Sequence, residues 1–162
     1  GFSILQGLTD EASTQFTIVA PTVDDLMFSV AVKSGSGKPN LYRQEKITRP
    51  FSGNCVYKLQ VNGLRLGSTY TLTVEGDGAG ILDQREFKAL DLSRRSVKLG
   101  LISCALDHLS RDSVWAQVAS QKPDMIFFLG DNVYTDRNTL LFKSSPDEEQ
   151  LWHRYVATRV RL

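Results

Sequence analysis

Asp131 and Tyr134 are the residues in this chain whose types and spacing most readily do chemistry. They follow Met125-Ile126-Phe127-Phe128-Leu129, an unbroken apolar run too short for a helix and closed by Gly130. Such a run is expected to form a strand buried on both faces, as inside a parallel sheet. Ligands of open α/β sheets gather beyond the carboxyl ends of strands of that kind. A carboxylate and a phenol placed there can turn toward one point and accept a hard cation, and Gly130 lets the backbone come close beneath them. The plainer reading of the same residues is a Gly-Asp turn with a packed tyrosine.

The elements around this stretch give it a setting. Val97-Lys98-Leu99-Gly100-Leu101-Ile102-Ser103-Cys104 reads as a strand ending in small polar residues. Residues 110–120 carry Val114, Trp115, Val118 and Ala119 on one helical face. Strand, helix and strand then form a crossover of the length a parallel pair requires. In such a unit Cys104 and Asp131 lie at the same edge of neighbouring strands. Further on, Ser145-Pro146-Asp147-Glu148 carries the signs of a helix start. Ser145 would be the cap, Pro146 the first helical residue and Glu148 the partner in a capping box. Leu151, Trp152, Tyr155 and Val156 would supply that helix's apolar face. Two parallel strands with their helices do not cover both faces of a sheet, so residues 97–162 are expected to be a truncated α/β domain. Its remainder would be absent, disordered or supplied by a second chain.

Residues 1–91 read differently. Residues 14–20, 26–32, 56–61, 70–75 and 84–88 are short stretches of alternating or β-branched residues, separated by turn clusters such as Ser34-Gly35-Ser36-Gly37-Lys38-Pro39-Asn40. That spacing predicts an antiparallel sandwich. Val61-Asn62-Gly63-Leu64-Arg65-Leu66-Gly67-Ser68-Thr69-Tyr70 resembles the corner of immunoglobulin-like and fibronectin-like domains, where a tyrosine hydroxyl bonds back to backbone a few residues upstream. Tyr70 is expected to take that role. Nothing in this half has catalytic character. Ser93-Arg94-Arg95-Ser96 is a short polar link between the halves.

Composition bounds the rest. The chain has 162 residues, 41% hydrophobic and 23% charged, with a net charge of +1, which fits a globular protein of one or two domains. No basic excess points to nucleic acid, and no apolar run approaches the roughly 20 residues of a membrane span. The sequence opens on Gly1 without a methionine or a signal-type apolar core, which reads as a processed or engineered start. Cys55 and Cys104 make no disulfide framework and fix no compartment.

Taken in order, the sandwich, Leu101-Ile102-Ser103-Cys104, Lys122-Pro123-Asp124, Leu129-Gly130-Asp131-Asn132-Val133-Tyr134 and Leu151-Trp152-His153-Arg154-Tyr155 resemble the amino-terminal part of the PhoD-like alkaline phosphatases. The Gly-Asp-x-x-Tyr element is also shared with purple acid phosphatases. The resemblance implies a fibronectin- or immunoglobulin-like β-sandwich followed by the first strand–helix–strand of a metallophosphoesterase-type α/β domain. It implies hydrolysis of a phosphate ester at a dinuclear centre, with Cys104 and Tyr134 on Fe3+ and Asp131 bridging to a second divalent metal, Ca2+ being the expected one. Thiolate and phenolate suit a transition metal, and a carboxylate suits a hard cation beside it. Asp131 and Asn132 are the catalytic candidates, Asn132 by orienting Asp131. Asp136 and Arg137 are candidates for the substrate phosphate, with an exposed turn ion pair as the alternative. His108, in a loop near Cys104, is expected in solvent, and His153, beside Trp152 on a helix, in a surface or packing role. The family's later Trp-Asp-Asp-His-Asp segment and the histidines beyond it have no counterpart here, so three ligands stand without the rest of their centre. The resemblance also implies export, to a periplasm or outside the cell. The non-enzymatic alternative is a sandwich binding module with a vestigial α/β segment.

Overall fold

The computed structural model describes residues 2–22, 26–91, 93–103, 112–130, 133 and 146–161. The chain divides into two compact units, Gly1–Ser93 and Arg94–Leu162. The first is built of antiparallel strands, labelled β1 (Ser3–Thr9), β2 (Ser13–Pro21), β3 (Leu26–Ser34), β4 (Asn40–Thr48), β5 (Asn54–Asn62), β6 (Thr69–Gly76) and β7 (Gly80–Lys88). Hydrogen bonding orders them β1-β2-β5-β4 in one sheet and β3-β6-β7 in another.

The period of two in the sequence makes these sheets one-sided. On β5, Cys55, Tyr57, Leu59 and Val61 are buried, and on β6 Tyr70, Leu72 and Val74 are buried, with less buried residues between them. Phe16, Ile18 and Ala20 of β2, Leu26 of β3 and Phe87 of β7 join them in a single core, so the two sheets pack face to face as a sandwich. Phe16 meets Phe87 edge to face at 4.9 Å, and Phe28 meets Tyr57 in the same way at 4.9 Å. Each fully buried Leu or Val in such a core contributes about 1.5–3 kcal/mol.

Two strands, β1 and β4, lie where the sequence reading has no strand, and β7 starts at Gly80 rather than at residue 84. Both β1 and β4 are edge strands. The middle of β4 is Arg43-Gln44-Glu45-Lys46, polar without alternation, because a bulge between Arg43 and Glu45 breaks the period. Arg43 is paired with Leu59 and Lys46 with Tyr57, which puts both cations on the core-facing side of the sheet's rim. Lys46 Nζ lies 5.3 Å from the centre of the Tyr57 ring. A groove of about 380 Å³ is lined by Leu26, Phe28, Leu41, Tyr42 and Arg43.

Tyr70 takes the role expected of it. Its hydroxyl accepts a hydrogen bond from the Arg65 N–H at 2.8 Å and donates to the Ser36 carbonyl at 2.7 Å. The Ser68 Oγ accepts from the Ser36 N–H at 3.1 Å, and the Lys38 N–H donates to the Gly63 carbonyl at 3.1 Å. The β3–β4 loop is thereby held against the β5–β6 connection. The approach is so close that Gly37, at φ +137°, has no room for a side chain: a Cβ there would lie 2.4 Å from the Tyr70 hydroxyl.

Tyr57 is equally buried, yet its hydroxyl has no partner at hydrogen-bonding geometry among the described residues. Burial pushes its pKa up. The two tyrosines should therefore respond in opposite ways to loss of the hydroxyl. Tyr70→Phe orphans a donor and an acceptor and should lower stability by about 1–3 kcal/mol. Tyr57→Phe removes an unsatisfied group and should leave stability unchanged or raise it by about 1 kcal/mol. Urea unfolding followed by far-ultraviolet circular dichroism measures both.

Asp10 closes the β1–β2 hairpin. Its Oδ1 accepts from the Ala12 N–H at 2.8 Å and the Ser13 N–H at 2.6 Å, and its Oδ2 accepts from the Ser13 hydroxyl at 2.8 Å. The Ala12 N–H first, and Ser13 second, hold the carboxyl below the ordinary carboxylate range. A lowered folded pKa stabilises above the unfolded value, near 3.9, and the contribution is lost as pH falls through the folded value. The stability gap between the native chain and Asp10→Ala should be constant from neutral pH down to about 5 and then shrink on further acidification. Unfolding curves of both proteins across that range read it directly.

In the second unit, the described elements are β8 (Leu99–Ile102), α1 (Asp112–Ser120), β9 (Met125–Phe128) and α2 (Glu148–Arg161). Helix α2 begins two residues later than a Ser145 cap requires, and Ser145 itself lies outside the described residues. Asp147 is the cap: its Oδ1 accepts from the Gln150 N–H at 2.8 Å, and its carbonyl accepts from the Leu151 N–H at 3.0 Å. Pro146 therefore stands outside the helix. Val156 and Thr158 are the buried residues of α2, whereas Tyr155 is 55% exposed. His153 is on the surface, with its Nε2 3.5 Å from the Glu149 carboxylate one turn earlier.

Candidate metal centre

Strands β8 and β9 run parallel in unbroken register, Leu99 opposite Met125 through Ile102 opposite Phe128. Asp124 fixes the entry to this pair. Its N–H donates to the Lys98 carbonyl at 2.8 Å, its Oδ2 accepts the Lys98 N–H at 2.8 Å, and its Oδ1 accepts from the Arg94 guanidinium. At the exit, the Leu129 N–H donates to the Ile102 carbonyl at 2.8 Å, so both strands finish at one edge. Asp124 entered the sequence reading only within Lys122-Pro123-Asp124, with no role of its own. The signal for it was Lys122-Pro123-Asp124 immediately before an apolar run: a proline that ends the preceding helix and a carboxylate free to bond backbone.

The joint between α1 and β9 has its own logic. The Lys122 N–H donates to the Ala119 carbonyl at 2.9 Å, and Lys122 adopts the left-handed conformation at φ +48°. This is the usual way to end a helix, with glycine the usual residue, and Pro123 prevents any further turn. The Trp115 ring on α1 lies 6.4 Å from the Phe128 ring on β9.

Beyond the last pair of the ladder, Ser103 precedes Cys104, and Gly130 precedes Asp131. Gly130 sits at φ +141°, and among the described residues beyond its chain neighbours no atom lies within 4 Å of where its Cβ would be. Backbone conformation rather than crowding calls for glycine there. The expected ligands Cys104, Asp131 and Tyr134 lie outside the described residues, as do Asn132, Asp136, Arg137 and His108. Among the described residues no group of three His, Cys, Asp or Glu side chains could hold a metal ion. Thiol, carboxyl and phenol are nonetheless a chemically coherent donor set for a ferric ion beside a harder cation.

One expectation about this region is corrected. The apolar run was expected to be buried on both faces. Instead Met125, Ile126, Phe127 and Phe128 are 38–47% exposed and Leu129 is 65% exposed. The described sheet has two strands only, so each strand lacks a second neighbour, and the pattern of a doubly covered strand appears without the cover.

No protein-family model, curated protein or solved structure matches the chain. No helix among the described residues is long and apolar enough to cross a membrane.

Lys122 offers a test of this joint. A non-glycine residue in the left-handed region costs about 1–2 kcal/mol. Lys122→Gly should therefore stabilise the second unit by about 1 kcal/mol. Both tryptophans of the chain, Trp115 and Trp152, belong to this unit, so unfolding followed by tryptophan fluorescence reports on it.

Proposed function

We propose that the second unit contributes to the dinuclear centre of a metal-dependent phosphoric ester hydrolase of the PhoD-like type. The observation that carries this reading is the parallel register of β8 and β9, whose final pair, Ile102 and Phe128, is followed two residues later by Cys104 and three residues later by Asp131. Candidate ligands at the carboxyl ends of adjacent parallel strands are where α/β sheets bind. In this reading Cys104 and Tyr134 hold Fe3+, Asp131 bridges to a divalent ion such as Ca2+, and Asn132 orients the Asp131 carboxylate. Asp136 and Arg137 face the phosphate of the substrate. A metal pair there supplies Lewis-acid polarisation of a phosphoryl oxygen. Three ligands do not complete two coordination spheres, so further ligands come from elsewhere on the polypeptide or from a second chain.

The first unit is, in this reading, a non-catalytic companion of immunoglobulin constant type. The order β1-β2-β5-β4 against β3-β6-β7 supports that, being the ABED and CFG arrangement of such domains, and the Tyr70 hydrogen bonds occupy the place of their tyrosine corner. The family resemblance adds an exported location.

A second reading has an observation of its own. Among the described residues, the buried hydrophobic ones apart from Val156 belong to the first unit or its last strand's continuation. That favours a sandwich binding module whose α/β segment does no chemistry.

One experiment separates the two readings. The chain is purified with iron supplied, and its metal content and visible absorbance are measured beside Tyr134→Phe and Tyr155→Phe. The hydrolase reading expects bound iron and a phenolate-to-iron charge-transfer band that is lost in Tyr134→Phe and kept in Tyr155→Phe. Iron-free protein, or a band indifferent to Tyr134→Phe, removes the proposed centre and leaves the binding module.

A further inference from the structure

Ser93-Arg94-Arg95-Ser96 has no part in any of the three sheets, and Arg94-Arg95 is the sole place in the sequence where two Lys or Arg residues adjoin. Residues 93–98 are all exposed and belong to no strand or helix, β7 ending at Lys88 and β8 beginning at Leu99. Asp124 grips both ends of a short arch, through the Arg94 guanidinium on one side and the Lys98 N–H on the other. Between those grips, Arg95, Ser96 and Val97 make no hydrogen bond or ion pair with any described residue. Val97 is 56% exposed.

We propose that the Arg95–Ser96 bond is a processing site for a serine endoprotease specific for paired arginines. Such an enzyme needs two guanidinium groups to place against its own carboxylates and a backbone free to be drawn out straight. Arg95 presents one such group in the exposed arch, and Arg94 presents the other once its bond to Asp124 opens. Drawing the arch out breaks the bonds of Asp124 and those that Lys98 makes to Gln121 and Ser93 to Asp91, and no ladder runs through residues 93–98. In the cleavage, water adds across the amide: its hydroxyl passes to the Arg95 carbonyl carbon, which becomes a carboxylate, and the Ser96 nitrogen becomes the new amino terminus. The products are residues 1–95, with the whole sandwich, and 96–162, with every candidate metal ligand. The cut would break no strand or helix of either unit.

The test compares the full folded chain with a synthetic peptide of residues 89–101, both treated with a paired-arginine-specific endoprotease and followed by mass spectrometry. Exposure with little structure to open predicts a single cut after Arg95, at a rate within about tenfold of the peptide's. Arg95→Gln should abolish it. A folded chain cut more than about tenfold more slowly than the peptide, or cut elsewhere, overturns the proposal.

Discussion

One phenolic oxygen, that of Tyr70, ties together two of the three places where the chain passes between the sheets of the sandwich. The β3–β4 loop carries the chain from the three-stranded sheet to the four-stranded one, and the β5–β6 connection carries it back. Tyr70 stands at the start of β6 and bonds the backbone of both, at Ser36 and at Arg65. Its ring is fully buried and stacks on Phe87 at 5.5 Å, so the hydroxyl could not be satisfied by solvent. The hydrogen bonds are thus both a requirement of burying the ring and the means of fixing the two crossings. Gly37 and the turn around Gly63 follow from that closeness rather than from any preference of the loop itself.

The second unit rests on a different kind of constraint. Its parallel pair is held by backbone bonds and by Asp124 at the entry, while Leu99, Leu101 and the four residues of β9 stay 38–65% exposed. Leu99 and Leu101 are 53% and 65% exposed, comparable with their neighbours on β9. Hydrogen bonding alone contributes modestly to net stability, and a short ladder without burial has little else. The contrast with the sandwich is one of cover, not of hydrophobic content.

Where a residue's surroundings are local or strictly periodic, the sequence foretold them well. The alternation in β5 and β6 announces two one-sided strands, and the spacing from Gly63 to Tyr70 announces a corner. The parallel pairing of β8 with β9 follows from two apolar runs separated by a helix-length segment. Edge strands were harder to read because β4 satisfies its sheet on one side only and carries a bulge, so Arg43 and Lys46 blur the period that would reveal it. The helix cap was misplaced by two residues because Ser145 and Asp147 are both competent caps and only the backbone decides between them. At the candidate centre, the residue types and their order were legible in the sequence, and the strand ends that would present them are in place. The exposure of β9 was not legible, because an apolar run records the cover a strand is suited to and not the cover it has.

The rim of the four-stranded sheet has a bearing on how this molecule behaves in company. Cations turned toward the interior of an edge strand, together with a bulge, spoil the straight, apolar border that another strand would need to dock. Arg43, Lys46 and the irregularity beside them give β4 that protection. Strands β8 and β9 have no such guard: their side chains are Leu99, Leu101, Met125, Ile126, Phe127 and Phe128, with Gly100 and Ile102 between. Among the described residues, these eight on two short strands form one apolar border open to self-association, and Leu8 on β1 and Ile81 on β7 are among the exposed apolar side chains on the other edges of the sandwich.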